Sequence, residues 1–187
     1  MEKEIENCLN ILKQGGIILY PTDTIWGIGC DATNSEAVSR VFRIKKRKDH
    51  KSMIILLDTI ARLHQYIDTV PEMAYDLVEL ADKPLTIVYA DAKNLAENLI
   101  ANDQTIAIRI TDDPFCKKLI ERFRKPVVST SANIAGMPHP ENFSEISNEV
   151  KDQVDYIVGL RQNETKKARP SSIIKLGKSN EIEIIRK

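Results

Sequence analysis

A mixed α/β fold, with one sheet and helices in the α+β manner, is predicted by three observations. Short apolar runs of strand length alternate with segments of helical period; Gly, Pro and hydroxyl-rich turns bound them; and no repeat, low-complexity tract or linker divides the 187 residues. A chain of this length buries about two-thirds of the surface its unfolded form exposes. One domain over 1–187, without a metal or disulfide staple, is therefore expected.

Ile5, Cys8, Leu9 and Leu12 recur at helical spacing, and Gly15-Gly16 stops that helix. Ile17 to Tyr20 reads as a strand that breaks at the polar turn Pro21-Thr22-Asp23-Thr24 and resumes as Ile25 to Cys30. Asn34 and Ser35 offer an N-cap to an amphipathic helix carrying Ala37, Val38, Val41, Phe42 and Ile44. Met53 to Leu57 is wholly apolar, as expected of a strand covered on both faces. Helical segments follow at Ile60 to Tyr66 and after Pro71, the second carrying Met73, Leu77 and Leu80. Leu85 to Tyr89 and Thr105 to Ile110 read as strands, and Asp113-Pro114 opens a helix with Phe115, Leu119 and Phe123 on one side. Val127-Val128 reads as a short strand running into a hydroxyl-and-amide turn, Ser129 to Asn133. Gly136 to Pro140 is a loop, Ser144 to Lys151 a short helix, and Val154 to Val158 a strand. Gln162 to Pro170 is polar, basic and loop-like; it would suit a lid over a ligand or a plain exposed loop. Ser172 to Leu176 and Ile182 to Ile185 are closing strands.

Lys plus Arg equals Asp plus Glu at 27 each, so no global field draws the protein to nucleic acid or membrane and any anion binding must be local. Cys8, Cys30 and Cys116 lie far apart and no secretory h-region precedes them, which favours a reduced thiol state and a cytoplasmic location. No apolar run approaches the roughly 20 residues of a membrane span.

Four features bear on chemistry. The turn Thr22-Asp23-Thr24 is either an ordinary structural turn or a set of hydroxyls and one carboxylate for a small polar substrate. The helix end Arg43, Lys45, Lys46, Arg47, Lys48, His50 and Lys51 has only Asp49 as counter-charge. The helix dipole favours some of that charge, and its density suits a triphosphate or pyrophosphate. Ser129 to Asn133 has small side chains that let phosphate or ligand approach, or it is a capped loop. Arg109, inside the apolar run Thr105-Ile106-Ala107-Ile108-Arg109-Ile110, is costly to bury unless an anion satisfies it; an internal carboxylate or a solvent-facing position are the other readings. Gly15-Gly16 has no P-loop continuation and there is no GxGxxG. His50, His64 and His139 are not at metal-ligand spacing and read as surface or loop residues, Cys30 as a buried thiol. Aromatics are too sparse for a base-stacking platform.

Taken in order, GGIILYPTDTIWGIGCDA, the triplet Lys45-Lys46-Arg47, DKPLTIVY, TIAIR and STSANIAG resemble the YrdC/TsaC family, the threonylcarbamoyl-AMP synthases. The resemblance runs from about Gly15 to Arg186, with the family's KxR signature at Lys45/Arg47 and its SxN signature at Ser131/Asn133. It implies a twisted mixed sheet with flanking helices around a positively lined concave cavity, in the short, single-domain form. The implied reaction joins L-threonine, bicarbonate and ATP into threonylcarbamoyl-AMP and pyrophosphate, with Mg2+ on the phosphates. Separate threonylcarbamoyl-transferase proteins would then pass the group to tRNA. Carried over by position, Lys45 and Arg47 resemble the family's catalytic residues. Lys45, Arg47, Thr105, Ser131, Asn133 and Arg186 resemble its ATP-binding residues, and Thr24, Arg109, Ser129 and Ser171 its threonine-binding residues. No protein ligand to a metal is implied. The sequence departs from the family at Lys46 and Lys48, where Gly and Pro are usual, at Lys51-Ser52-Met53 in place of Asn-Pro-Leu, and at Leu56, near which some members place a histidine.

Two other readings stand beside this one. YciO-type proteins resemble the chain but lack the intact KxR and SxN pair. A tRNA- or double-stranded-RNA-binding module would use Lys45 to Lys51, Lys117 to Lys125 and Lys166 to Arg169, and zero net charge makes such binding weak and salt-sensitive.

Overall fold

Helix α1 (Glu2–Lys13) buries Ile5, Cys8, Leu9 and Leu12 along one side and ends where Gly15 takes φ +74°. The computed structural model describes residues 1–47, 53–165, 167 and 169–187. Lys48 to Lys51, with Asp49, His50 and Ser52, lie outside the described residues, as does Lys166. Strands β1 (Ile18–Tyr20) and β2 (Gly27–Gly29) pair antiparallel around the Pro21 to Trp26 segment. Gly29 is required by close approach, since a Cβ there would stand 2.6 Å from the Tyr20 ring and 2.7 Å from the Val128 carbonyl. Helix α2 (Ser35–Ile44) starts on Asn34, whose side chain accepts from the N–H groups of Glu36 and Ala37.

Strand β3 (Ile54–Leu57) is followed by a 3-10 segment, Ile60–Gln65, where the spacing predicts an α-helix; the Thr59 hydroxyl caps it and the short connection closes before an α-helix develops. Helix α3 (Met73–Glu79), β4 (Leu85–Tyr89), β5 (Ile106–Ile110) and helix α4 (Pro114–Phe123) fall where expected, the last with Asp113 accepting from Phe115 and Cys116 N–H and with Pro114 in its first turn. Strand β6 (Val127–Ser131) is longer than the predicted Val127-Val128, because Ser129, Thr130 and Ser131 continue it by pairing with β2 and β3. The predicted hydroxyl turn is thus mostly strand. The Ser144 to Lys151 segment divides into a 3-10 turn, Phe143–Glu145, and the one-turn helix α5 (Asn148–Lys151). Strands β7 (Tyr156–Ile157), β8 (Ser172–Leu176) and β9 (Ile182–Arg186) complete the chain.

Among the described residues these strands form one nine-stranded mixed sheet in the order β7-β1-β2-β6-β3-β5-β4-β8-β9. Its two faces are packed differently. Residues such as Ile28, Ile55, Leu57, Ile108, Val128 and Ile174 enter the larger core with Val38, Val41 and Phe42 of α2. On the other face, Ile18, Tyr20, Leu56 and Val127 meet Ile5, Cys8 and Leu12 of α1 and Phe115, Leu119 and Phe123 of α4. These two helices cover only part of that face. The uncovered part is where the hydroxyl and arginine positions of β5, β6, β8 and β9 come together.

Candidate active site

Strand register aligns the side chains. Cross-strand partners share a face, and Arg109 is opposite Thr86, Thr86 opposite Ile173, and Ile173 opposite Arg186. Further along, Ser129 is opposite Ile54 and Ser131 opposite Gly27. Apart from Thr86, these residues border a cavity of about 250 Å³, which also takes in Thr24, Trp26, Arg47, Met53, Thr130, His139 and Ser171. Of the sequence-predicted residues, Thr24, Arg47, Arg109, Ser129, Ser131, Ser171 and Arg186 line it.

Arg109 is the most constrained of them. Its side chain is 3% exposed and its Nη2 stands 3.0 Å from Oδ1 of Asp23. That ion pair is out of line for hydrogen bonding: Arg109 Nε and Nη2 and Asp23 Oδ1 have no hydrogen-bond partner among the described residues. Burial raises the Asp23 carboxyl above its ordinary range while Arg109 pulls it down. A buried guanidinium with unmade hydrogen bonds is a costly arrangement that an anion would relieve. Arg186 adds to the positive field. Burial, and then Arg109 itself, lower its pKa, and its Nε and Nη2 both donate to the Ser171 carbonyl at 2.9 and 2.7 Å. The Ser171 hydroxyl lies 2.7 Å from the Thr86 hydroxyl. Burial lowers the Arg47 pKa as well.

Lys45 and Asn133 do not line this cavity; they build its support. The Lys45 ammonium donates to the carbonyl oxygens of Ser131 at 2.5 Å and Asn133 at 2.8 Å, with the Ser131 hydroxyl at 3.4 Å and Asn133 Oδ1 at 3.3 Å. The Lys45 carbonyl in turn accepts from Ala135 N–H at 2.8 Å. Burial, and then Arg47, lower the Lys45 pKa to about 7. The KxR and SxN segments, more than 80 residues apart, are therefore one hydrogen-bonded unit. Asn133 faces an adjoining hollow of about 490 Å³ that shares His139 and includes Ile134, Met137 and Pro138.

Thr105 does not line this cavity. It precedes β5, four residues and about 13 Å of extended chain from Arg109, and its hydroxyl donates to Asp103 Oδ1 at 2.6 Å, so it is not brought to this cavity. The basic cluster also divides: Arg47 faces the cavity, whereas Lys46 makes an ion pair with Glu149 at 2.5 Å. Trp26, Met53 and His139 line the cavity without having been read as site residues. His139, read as an exposed loop residue, is exposed and borders both hollows. Asp23 has a readable signal, as the carboxylate in a turn otherwise made of hydroxyls. Among the described residues no group of three or more His, Cys, Asp or Glu gathers as a metal site, and no helix is long and apolar enough to cross a membrane.

The fold and this cavity define a class: a twisted mixed-sheet protein with an arginine- and hydroxyl-lined cavity on its half-covered face. The chain belongs to the Sua5/YciO/YrdC family, whose model, described as "Telomere recombination", matches residues 10–187. It is 35% identical over 160 residues to a Pseudoalteromonas translucida protein named threonylcarbamoyl-AMP synthase, covering 84% of this chain and 86% of that one. It is similar to P. abyssi Sua5 complexed with L-threonine, with a TM-score of 0.83 and 25% identity over 94% of this chain. This chain spans about half, 52%, of that protein's length. E. coli YciO shares the fold, with a TM-score of 0.85 and 23% identity, covering 100% of this chain and 90% of that one.

Proposed function

We propose that the chain is an L-threonylcarbamoyladenylate synthase, a nucleotidyltransferase that makes threonylcarbamoyl-AMP and pyrophosphate from L-threonine, bicarbonate and ATP. The observation that carries this reading is Arg109, buried at 3% exposure with hydrogen bonds unmade, in a cavity lined by Thr24, Ser129 and Ser171. A buried guanidinium beside hydroxyls suits the carboxylate and polar groups of a small amino acid. The second hollow, which shares His139 with the cavity, has room for a nucleotide. The names of the curated relatives at 28–35% identity support the same reading.

In the reaction, the threonine amine forms a C–N bond to bicarbonate with loss of water. An oxygen of the resulting carbamate then attacks the α-phosphate of ATP, and the bond to pyrophosphate breaks. No covalent enzyme intermediate is needed, in keeping with a site that has no catalytic triad. Arg109 would hold the threonine carboxylate, and Arg47 and Arg186 would neutralise charge on the nucleotide. Lys45 would keep the Ser131 to Asn133 segment in place, so that positioning and preorganised electrostatics do the work. Magnesium would arrive on the triphosphate, since the donor set here is cationic and hydroxylic; no step is routed through it. We take residues 1–187 as one domain, with β8 and β9 completing the cavity. The threonylcarbamoyl group would pass to tRNA through separate transferase proteins. Much of the remaining positive charge is compensated within the chain: Lys118 and Arg122 by Glu2, Lys125 by Asp31 and Lys167 by Glu141. That pairing favours the small-molecule reading over an RNA-binding module.

The test is pyrophosphate release from ATP and bicarbonate, with L-threonine present, absent or replaced by L-serine, and with the adenylate identified by mass. Threonine-dependent release is expected. Release indifferent to threonine in a folded protein would overturn the proposal.

A further inference from the structure

Thr22 does not line the cavity and is 1% exposed. Its hydroxyl is 2.8 Å from the Ile25 carbonyl oxygen, which can only accept, so Thr22 commits its single proton there. The Thr24 backbone N–H donates to the same Thr22 Oγ1 at 3.1 Å. Thr24 Oγ1 is 3.0 Å from Thr22 Oγ1. With the Thr22 proton already spent, the hydrogen in that last bond must be Thr24's. Thr22 Oγ1 is then saturated, donating once and accepting twice, and Thr24 Oγ1 is left with lone pairs only.

We infer that Thr22 is a positioning residue that fixes Thr24 as a hydrogen-bond acceptor, so that the Thr24 side of the cavity takes an N–H group while Arg109 takes a carboxylate. This rests on the amino-acid reading of the site and adds the substrate's orientation to it. The two groups are chemically opposite. Arg109 offers only donors, whereas the Thr24 hydroxyl offers only lone pairs. A carboxylate placed at Thr24 would meet lone pairs with lone pairs. An amino group fits at every stage, because its nitrogen carries hydrogen as ammonium, as amine, and still once after a carbamate has formed. The contact therefore survives N-carboxylation and holds the nitrogen in place throughout.

The experiment measures binding of L-threonine and of (R)-3-hydroxybutyrate, which is L-threonine without its amino group, to the wild type, Thr22→Val, Thr22→Ser and Thr24→Val. ATP affinity and the thermal midpoint serve as folding controls. Thr22→Val is expected to weaken threonine roughly tenfold or more, the scale of one hydrogen bond to a charged group, with the analogue unchanged. Thr22→Ser restores threonine affinity, and Thr24→Val, which removes the acceptor itself, reproduces the loss. Threonine affinity in Thr22→Val or Thr24→Val within about threefold of wild type overturns the inference, as does parallel weakening of threonine and analogue. A wild type that binds ATP but no threonine overturns the amino-acid reading itself.

Discussion

Two stretches of the same sheet face differ in what stands over them. On β6, Val127 lies under α1 and α4, whereas Ser129 and Ser131, two and four residues along the same strand, open into the cavity. On β3, Leu56 is fully buried in that helix-covered cluster, and Ile54 reaches the cavity edge. The covered stretch is aliphatic and aromatic and is held by area removed from water. The open stretch exchanges that area for hydroxyls and arginines, and it retains buried polar atoms, on Arg109 and Asp23, whose hydrogen bonds are unmade. One side of the sheet thus divides into a region that holds the fold and a region that the fold holds ready for a ligand.

Substitutions can break that division, and the largest effect is expected at Arg109. Arg109→Ala removes the anion receptor and leaves Asp23 buried without its counter-charge, so threonine-dependent pyrophosphate release should fall by roughly a hundredfold or more. Threonine titration checks this, and unchanged affinity would move the receptor elsewhere. In the covered stretch, Leu119→Ala should cost about 2–5 kcal/mol in denaturant unfolding, while activity per folded molecule stays near wild type. Ser129→Val tests the open stretch. It should weaken threonine binding several-fold, because a cavity-lining hydroxyl is lost, and it should cost stability through the contact that hydroxyl makes with the buried Tyr20 hydroxyl. A pH-dependent effect is expected at Lys45. Its pKa falls from 10.5 to about 7 on folding, so between those values the unfolded chain binds more protons and stability rises with pH. Lys45→Met should remove that rise, which urea melts at pH 7 and pH 10 would show as a change in the difference between the two proteins.

Much of this arrangement was legible in the sequence. The alternation in Thr105 to Ile110 marked Arg109 as an arginine set into an apolar strand, and the structure buries it. Asn34 and Asp113 signalled the starts of α2 and α4, and both cap them. Other parts depended on long-range pairing that local propensity does not encode. Ser129 to Ser131 read as a turn because hydroxyl residues favour turns, yet pairing with β2 and β3 keeps them extended. Lys45 read as part of a phosphate-binding cluster because of its charged neighbours, yet its partners are carbonyls more than 80 residues away. Thr105 shares a strand region with Arg109, but not its place along the cavity. The direction of the Thr22 and Thr24 hydrogen bonds follows only from where the Ile25 carbonyl points.

The most direct test of the central claim is a crystal structure with L-threonine and a non-hydrolysable ATP analogue. The expected result is the threonine carboxylate within about 3 Å of Arg109 nitrogens, the amino group on the Thr24 side, and the triphosphate running past Arg47 and Ser131. Threonine bound on the other face of the sheet, or in the groove beside α3 lined by Met73, Leu77 and Leu80, would contradict the account.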